Sequence, residues 1–592
     1  MPATAALLFL LPWVIYGSAI LRRYGLRDDY AILREAREEP GKILRVCAAM
    51  GRPLYGWLLE VSTREAGTIT GLSGLRMLSV TGLGLLAAAV FLLLRREGWR
   101  TAPAALVAAL LTVMPPAQVI ASWSICWPQA VALLLGVGAF ALARRGLAMP
   151  PEAAWRGRAW CLAGAVALCA STLIYQVSGL VFAVLLAAAL VMREDADLRA
   201  TARWMARHLL VMGGGLALAL VLTRLSFLLG LFTPSPRMVL EKHLLDKTAW
   251  FVTQVLPNAL ALPVLNDTDS GPPGGYWLMV GLTLTVVALG TAFQGRRAGR
   301  AGVAEWLLAL VVLSAAAYCA SFLAKERWPT YRTLYALTGV WSVFFAASLL
   351  HLGRGWPTHG PRVATALLGG FVAVSALLAH QQSLELFALP QGRELALMEQ
   401  GARQVEPGQR PRVYVITVLQ RDTSAPRRYL DEFGSVSVDT DWVARELFHA
   451  LLMERFPAER DISGLYRFAA GAIPPASGTY DILIDLRQRQ RDSTLAALEQ
   501  RPIQPTYLAD DADLRGPPLP ALTQLCLQPG FVLLLGLVPL GLLCLGVMTR
   551  ARRSVRAGLM ALTILLSLGL ARLVMMGLME PIFAEAGPVV RE

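Results

Sequence analysis

The chain has 592 residues, of which 55% are hydrophobic and only 16% charged, with a net charge of +14. A soluble globular chain carries roughly 25% charged residues, so this composition excludes an ordinary soluble domain. The surplus positive charge is mostly arginine in short loops, the pattern that orients a membrane protein, and no motif for nucleic acid accompanies it.

The predicted architecture is a polytopic α-helical membrane protein, because apolar runs of about 18 or more residues can span hydrocarbon as helices. The first run, near 3–21, is followed rather than preceded by its charges and has no convincing cleavage site. It reads as a retained span, not a signal peptide. Further spans are expected near 74–94, 103–120, 126–143, 159–173, 175–192, 209–231, 276–293, 303–323, 333–352, 363–381, 528–548 and 557–578, about thirteen in all. Pro115-Pro116 and Tyr175-Gln176 interrupt two of these runs and suggest helical hairpins that reach only part way. The seven cysteines lie mostly inside apolar runs, with no C-x-x-C pair and no Cys/His cluster, so a zinc-type site is not expected.

Arginine-rich loops occur at 95–100, 144–146, 294–300 and 549–556. All fall on one side if the N-terminus is cytoplasmic. The segments 22–73, 232–275, 324–332 and 382–527 then lie outside. The last is polar and too long for a loop. "RVYVITVL" (412–419) and "YDILIDL" (480–486) read as strands, and "DWVARELFHALLMERF" (441–456) as a helix with Asp441 at its N-cap. The expected division is a membrane core over 1–381 carrying the external loop 22–73, a small extracytoplasmic α/β domain over 382–527, and two final spans over 528–592.

The spans hold few charges. Arg76, Arg224 and Arg572 are the exceptions, placed where a long side chain can snorkel to the outer interface. The unusual polar chemistry gathers outside. Asp28 and Asp29 follow the first span at once. They can cap the amphipathic helix that begins there, or they can raise one another's pKa so that one serves as a general base. The turn Gly51-Arg52-Pro53 brings a cation to the same loop. "AKERWPTYRTLYAL" (324–337) carries Lys325, Arg327, Tyr331 and Arg332, which either grip a lipid phosphate or anchor the chain in headgroups. In "STLIYQVSGLVF" (171–182), Tyr175 and Gln176 can bond a sugar or diphosphate, whereas Ser171 and Thr172 suit a helix break. Lys242 and His243, on a helix expected over 237–257, read as a solvated face. "DEFG" (431–434) resembles a kinase fragment only by its letters.

The external Asp pair after the first span, the "GRPLYG" loop, the "YQ" break and the "KERWPTYRTLYAL" loop together resemble the GT-C superfamily of membrane glycosyltransferases. More narrowly, they resemble the bacterial type II Gtr-like, O-antigen-modifying glucosyltransferases. The resemblance is scattered over about residues 20–340. It implies an inverting hexosyltransferase that moves a sugar, such as glucose, from a polyprenyl-phosphate donor to a cell-envelope glycan such as the O-antigen of lipopolysaccharide. It places the chain in the bacterial inner membrane, with the site facing the periplasm and membrane lipids around it. Asp28 or Asp29 becomes the base. Arg52, Lys325, Arg327 and Arg332 become the holders of the leaving lipid phosphate, with Tyr175, Gln176 and Tyr331 beside the substrate. Some GT-C enzymes use a divalent metal (Mg or Mn), and the Asp pair could help bind one, although no full ligand set is visible. The rival readings are a lipid or glycan transporter or assembly scaffold, and an O-antigen ligase or polymerase. A transporter would need polar residues lining a path through the spans, and those are scarce.

Overall fold

The computed structural model describes residues 1–193, 197–266, 274–355, 358–417, 432–435, 437–439, 441–473 and 475–486. The spans expected at 528–548 and 557–578, the basic loop 549–556 and Arg572 lie outside the described residues. The chain is mostly helical. Among the described residues seven helices are long and apolar enough to cross a bilayer, or eight if one bent pair counts as a span. The protein is a multi-pass membrane protein.

Six expected spans take a different form. The run at 3–21 is two helices, Pro2–Ile15 and Gly17–Leu21, the first of them only 14 residues long. The run at 103–120 is two helices, Thr101–Val113 and Pro115–Ser122, bent by 57°. Proline excludes its predecessor from the helical region, and Met114 is extended (φ −64°, ψ 155°). The run at 175–192 yields only Val181–Leu190, ten residues, all of them buried. At about 1.5 Å per residue it is too short to span. It is an inner helix, and the interior of a large bundle is as apolar as lipid. The runs at 276–293 and 303–323 belong to one helical stretch, Gly274–Leu323, broken at Gly299 (φ 64°, ψ −159°). Both arms return to the same neighbour. Tyr276 donates to Asn258 at 2.7 Å, and the ring of Tyr318 lies 5.3 Å from that of Phe251. The helix that begins at Gly360 runs on past 381, through a π-turn at Leu384–Ala388, to Ala402. The boundary expected at 382 therefore falls within a continuous helix.

Arg76 does not snorkel. It is 0% exposed and donates to the carbonyls of Ala19 (2.5 Å), Tyr24 (2.8 Å) and Arg22 (2.9 Å) and to Ser124 Oγ (2.9 Å). Its guanidinium lies 3.9 Å from the centre of the Tyr24 ring. These carbonyls belong to the chain leaving the first helices, which has no backbone partners there. A five-donor fork can satisfy several of them at once.

Outside the spans, the segment after the first helices folds as three helices, Asp28–Glu38, Lys42–Ala49 and Pro53–Ala66. Three parallel strands, β1 (Arg412–Ile416), β2 (Arg467–Gly471) and β3 (Ile482–Asp485), lie in the order β2-β1-β3. Val413 is in register with both Phe468 and Ile482. Val413 and Val415 are buried, whereas Arg412 is exposed and Tyr414 half-buried, so one face of the central strand is covered and the other only in part. The helix Asp441–Arg455 packs on this sheet, and on its other side meets the loop helix Asp28–Glu38. Tyr30, Leu33, Leu72 and Leu75 share one buried cluster with Leu395, Met398, Leu447 and Phe448. Around its edge Arg34 pairs with Glu446 (2.6 Å) and Glu38 with His449 (2.6 Å). The polar region and the loop 22–73 thus sit at one end of the bundle.

Candidate functional site

The site forms where the loop 22–73 meets the break between the bent pair and the next span. The helix Pro115–Ser122 ends here and only the single 3-10 turn Ser124–Cys126 follows it, so the loop supplies partners to the groups the interrupted ladder leaves over. Tyr24 donates to the Ser122 carbonyl (2.8 Å) and Tyr55 to that of Ile125 (2.6 Å). Trp123 Nε1 donates to the Leu26 carbonyl (2.9 Å). Asp29 completes the lacing. Its Oδ2 accepts from the Leu26 N–H (2.9 Å) and its Oδ1 from the Ile125 N–H (3.0 Å).

The two aspartates therefore divide. Asp29 is 0% exposed, with both oxygens on backbone amides. Burial pushes its carboxyl up to about 6, against the pull of those amides and of Arg76. Asp28 is partly exposed and has no hydrogen-bond partner among the described residues. Burial raises its pKa too, opposed by Arg332, Arg27 and Arg237. In neither case is the other aspartate a cause, so desolvation rather than mutual repulsion shifts them. Both lie in the first turn of Asp28–Glu38, where the helix dipole favours negative charge. The preceding residue, Arg27, holds a positive φ of 46°, a strained conformation for an arginine, and donates its N–H to Ser437 Oγ (2.8 Å).

Arg332 is the cation at the centre. The helix turn Tyr331–Thr333 follows Pro329 and turns its guanidinium inward, 4.8 Å from the Trp123 ring centre and 5.8 Å from that of Trp328. Its Nε lies 3.5 Å from Oε1 of Glu432. Tyr175 and Glu432 help keep it protonated against burial, which acts the other way.

A second cation arrives from the "GRPLYG" turn. Gly51 has φ +73°, a conformation that favours glycine. The Gly51 N–H bonds to the Ala48 carbonyl and that of Arg52 to the Cys47 carbonyl, both at 2.9 Å, closing the helix end in a Schellman-type cap. Arg52 is thereby aimed at the "YQ" break. Its Nε donates to Gln176 Oε1 (2.6 Å) and its guanidinium lies 4.5 Å from the Tyr175 ring centre. Gln176 returns a bond to the Met50 carbonyl at 3.1 Å. The Tyr55 and Tyr175 rings are 6.0 Å apart.

The fold thus gathers Asp28, Arg52, Tyr175, Gln176 and Arg332 into one neighbourhood and sends other expected residues elsewhere. Tyr331 is 1% exposed and its hydroxyl accepts from the Asn266 N–H (2.8 Å), so it is part of the core. Arg327 is 42% exposed and faces Glu241 at 3.6 Å, and Lys325 is exposed; both lie on the rim. Thr172 bonds back to the Leu168 carbonyl and Ser171 to that of Ala132, so these two satisfy backbone at the helix break. Lys242 and His243 are exposed, while Lys247 about one turn on is buried, its Nζ holding the Ala324 and Glu326 carbonyls. Three site residues carried no usable signal in the sequence: Arg27, Trp123 and Glu432. Glu432 stands in the "DEFG" stretch, where one carboxylate in a polar segment looks solvated.

Among the described residues no donor set for a divalent cation assembles: no three His, Cys, Asp or Glu side chains group as ligands. Asp29 has no oxygen to spare, and between Asp28 and Glu432 the cationic partner present is the Arg332 guanidinium.

No family model matches the chain, and no curated protein does. Solved structures of the oligosaccharyltransferase of Archaeoglobus fulgidus are similar in outline. One, complexed with Zn and sulfate, is 14% identical over 69% of this chain and 59% of that one, with a TM-score of 0.39. Another, AglB with an inhibitory peptide and a dolichol-phosphate, is 13% identical over 70% and 62%, with a TM-score of 0.37. This chain spans about three fifths of their length. Likeness at that level decides neither fold nor chemistry.

Proposed function

We propose that the protein is an inverting GT-C-type glycosyltransferase that uses a polyprenyl-phosphate sugar and transfers the hexose to a cell-envelope glycan outside the cytoplasmic membrane. One observation carries this reading: Asp28, a carboxylate free of hydrogen bonds among the described residues, lies within the field of the half-buried cation Arg332. Asp28 takes the proton of an acceptor hydroxyl. The oxygen attacks the anomeric carbon, the bond from that carbon to the phosphate oxygen breaks, and its electron pair stays on the phosphate. Arg332, with Arg52 behind Tyr175, stabilises the charge that develops there. A scaffold or transporter gives no reason to set a base beside a phosphate-sized cation.

The test is transfer from polyprenyl-phosphoglucose to cell-envelope glycan in membranes. Asp28→Asn keeps size and shape, so folded yield stays at the wild-type level while turnover falls roughly 100- to 10,000-fold, the range for loss of a general base. Because burial raises the Asp28 pKa, wild-type transfer is lost on acidification at a pH above the usual carboxylate range. Near wild-type transfer by Asp28→Asn would remove Asp28 from the chemistry.

A further inference from the structure

Glu432 has surroundings that folding alone does not explain. It is 0% exposed, yet no other residue donates a hydrogen bond to either carboxylate oxygen, and only its own backbone N–H lies near enough to favour the charged form. Among the described residues no other carboxylate is buried in this way. Arg332, at 3.5 Å, gives an ion pair rather than a hydrogen bond. The contrast is with Glu394, whose two oxygens accept from the N–H groups of Ser437 (3.1 Å) and Val438 (3.0 Å). A buried acceptor without donors is costly. The turn that delivers it is well held. The Gly434 N–H bonds to the Leu386 carbonyl (3.1 Å), Gly434 has φ +74°, and the Phe433 ring packs against those of Tyr331 (5.2 Å) and Phe387 (4.9 Å).

A carboxylate accepts hydrogen bonds and donates none when ionised. A phosphate bound by Arg332 would repel it, so the missing partner must bring O–H groups. Within reach of an Arg332-bound phosphate, the group that carries them is the sugar attached to that phosphate. We propose that Glu432 binds hydroxyls of the donor sugar and so distinguishes the loaded lipid from the spent one. This rests on the reading of Arg332 as the lipid-phosphate holder. It also gives the spent carrier a reason to leave, since without the sugar Glu432 again lacks a partner.

The full chain in nanodiscs would be titrated with bare polyprenyl phosphate and with the same lipid carrying glucose, mannose or galactose. At least one sugar-bearing probe should bind the wild type more tightly than the bare lipid. Glu432→Ala should weaken that probe about tenfold to a hundredfold, the range for a charged hydrogen bond, and leave the bare lipid unaffected. Glu432→Gln, nearly isosteric and retaining one acceptor oxygen, should lose part of the preference and covers the case in which the alanine variant unfolds. The proposal is overturned if no sugar raises wild-type affinity, or if the Glu432 variants change both kinds of probe alike or neither. Arg332→Gln separates the two readings. If it spares bare-lipid binding while Glu432→Ala still abolishes the sugar preference, the phosphate assignment falls and the sugar contact stands.

Discussion

Replacing Arg76 by methionine distinguishes a membrane-edge arginine from a buried staple. Methionine keeps an apolar stem of similar reach and removes every donor. Three backbone carbonyls (Ala19, Arg22 and Tyr24) and the Ser124 hydroxyl lose their partner inside a site with 0% exposure. At about 1–2 kcal/mol for each abandoned carbonyl, the loss is about 3–6 kcal/mol, in line with breaking a buried charge pair. A snorkelling side chain would cost about 0.5 kcal/mol or less. Arg76→Lys retains the charge without the planar fork and should recover roughly half of the loss, given that an ammonium has three donors. The assay is the temperature at which the detergent-solubilised protein loses its monodisperse peak, paired with hydrogen exchange over 19–29 and 122–126. Methionine should lower the midpoint by several degrees and open both segments, because Arg76 also lies beside the aspartate that laces them together. A methionine variant as stable as wild type, with unchanged protection over 19–29, would refute the staple and the lacing built on it.

Two further outcomes follow from the site and the topology. Arg332→Gln should reduce transfer at limiting donor roughly 10- to 100-fold, whereas Arg327→Gln, an exposed arginine 3.6 Å from Glu241, should change it less than about threefold, as pairs with an exposed partner are worth about 0–1 kcal/mol; equal losses would mean that the rim also holds the phosphate. In a background free of native cysteines, Ser477→Cys should react with an impermeant thiol reagent from outside and Arg297→Cys should not. Ser477 is exposed, unlike Gly434, whose positive φ and burial make it a poor place for a new side chain. Labelling of Arg297→Cys alone would reverse the sidedness.

Membrane insertion was legible in order along the chain, and so was what each polar residue is able to do, because each depends on local properties. Apolar length decides whether a helix can span, the position of arginines biases orientation, and an aspartate pair or a Gly-Arg-Pro turn declares its chemistry where it stands. Packing had to be solved before the rest could be known. Val181–Leu190 looked like a span because lipid and protein interior are equally apolar to a short helix. Arg76 looked like an interfacial cation because its carbonyl partners lie more than fifty residues away in sequence. Asp28 and Asp29 are neighbours in the chain but point to different surroundings, one toward backbone amides and one toward Arg332. Lys325, Arg327 and Arg332 share a loop, and the turn after Pro329 admits only the last to the site. Glu432 shows the limit most plainly, since its letter is ordinary and only tertiary burial without a donor makes it unusual. Residue type decides what a group can do, whereas dielectric surroundings and partners brought from distant segments decide what it is left to do.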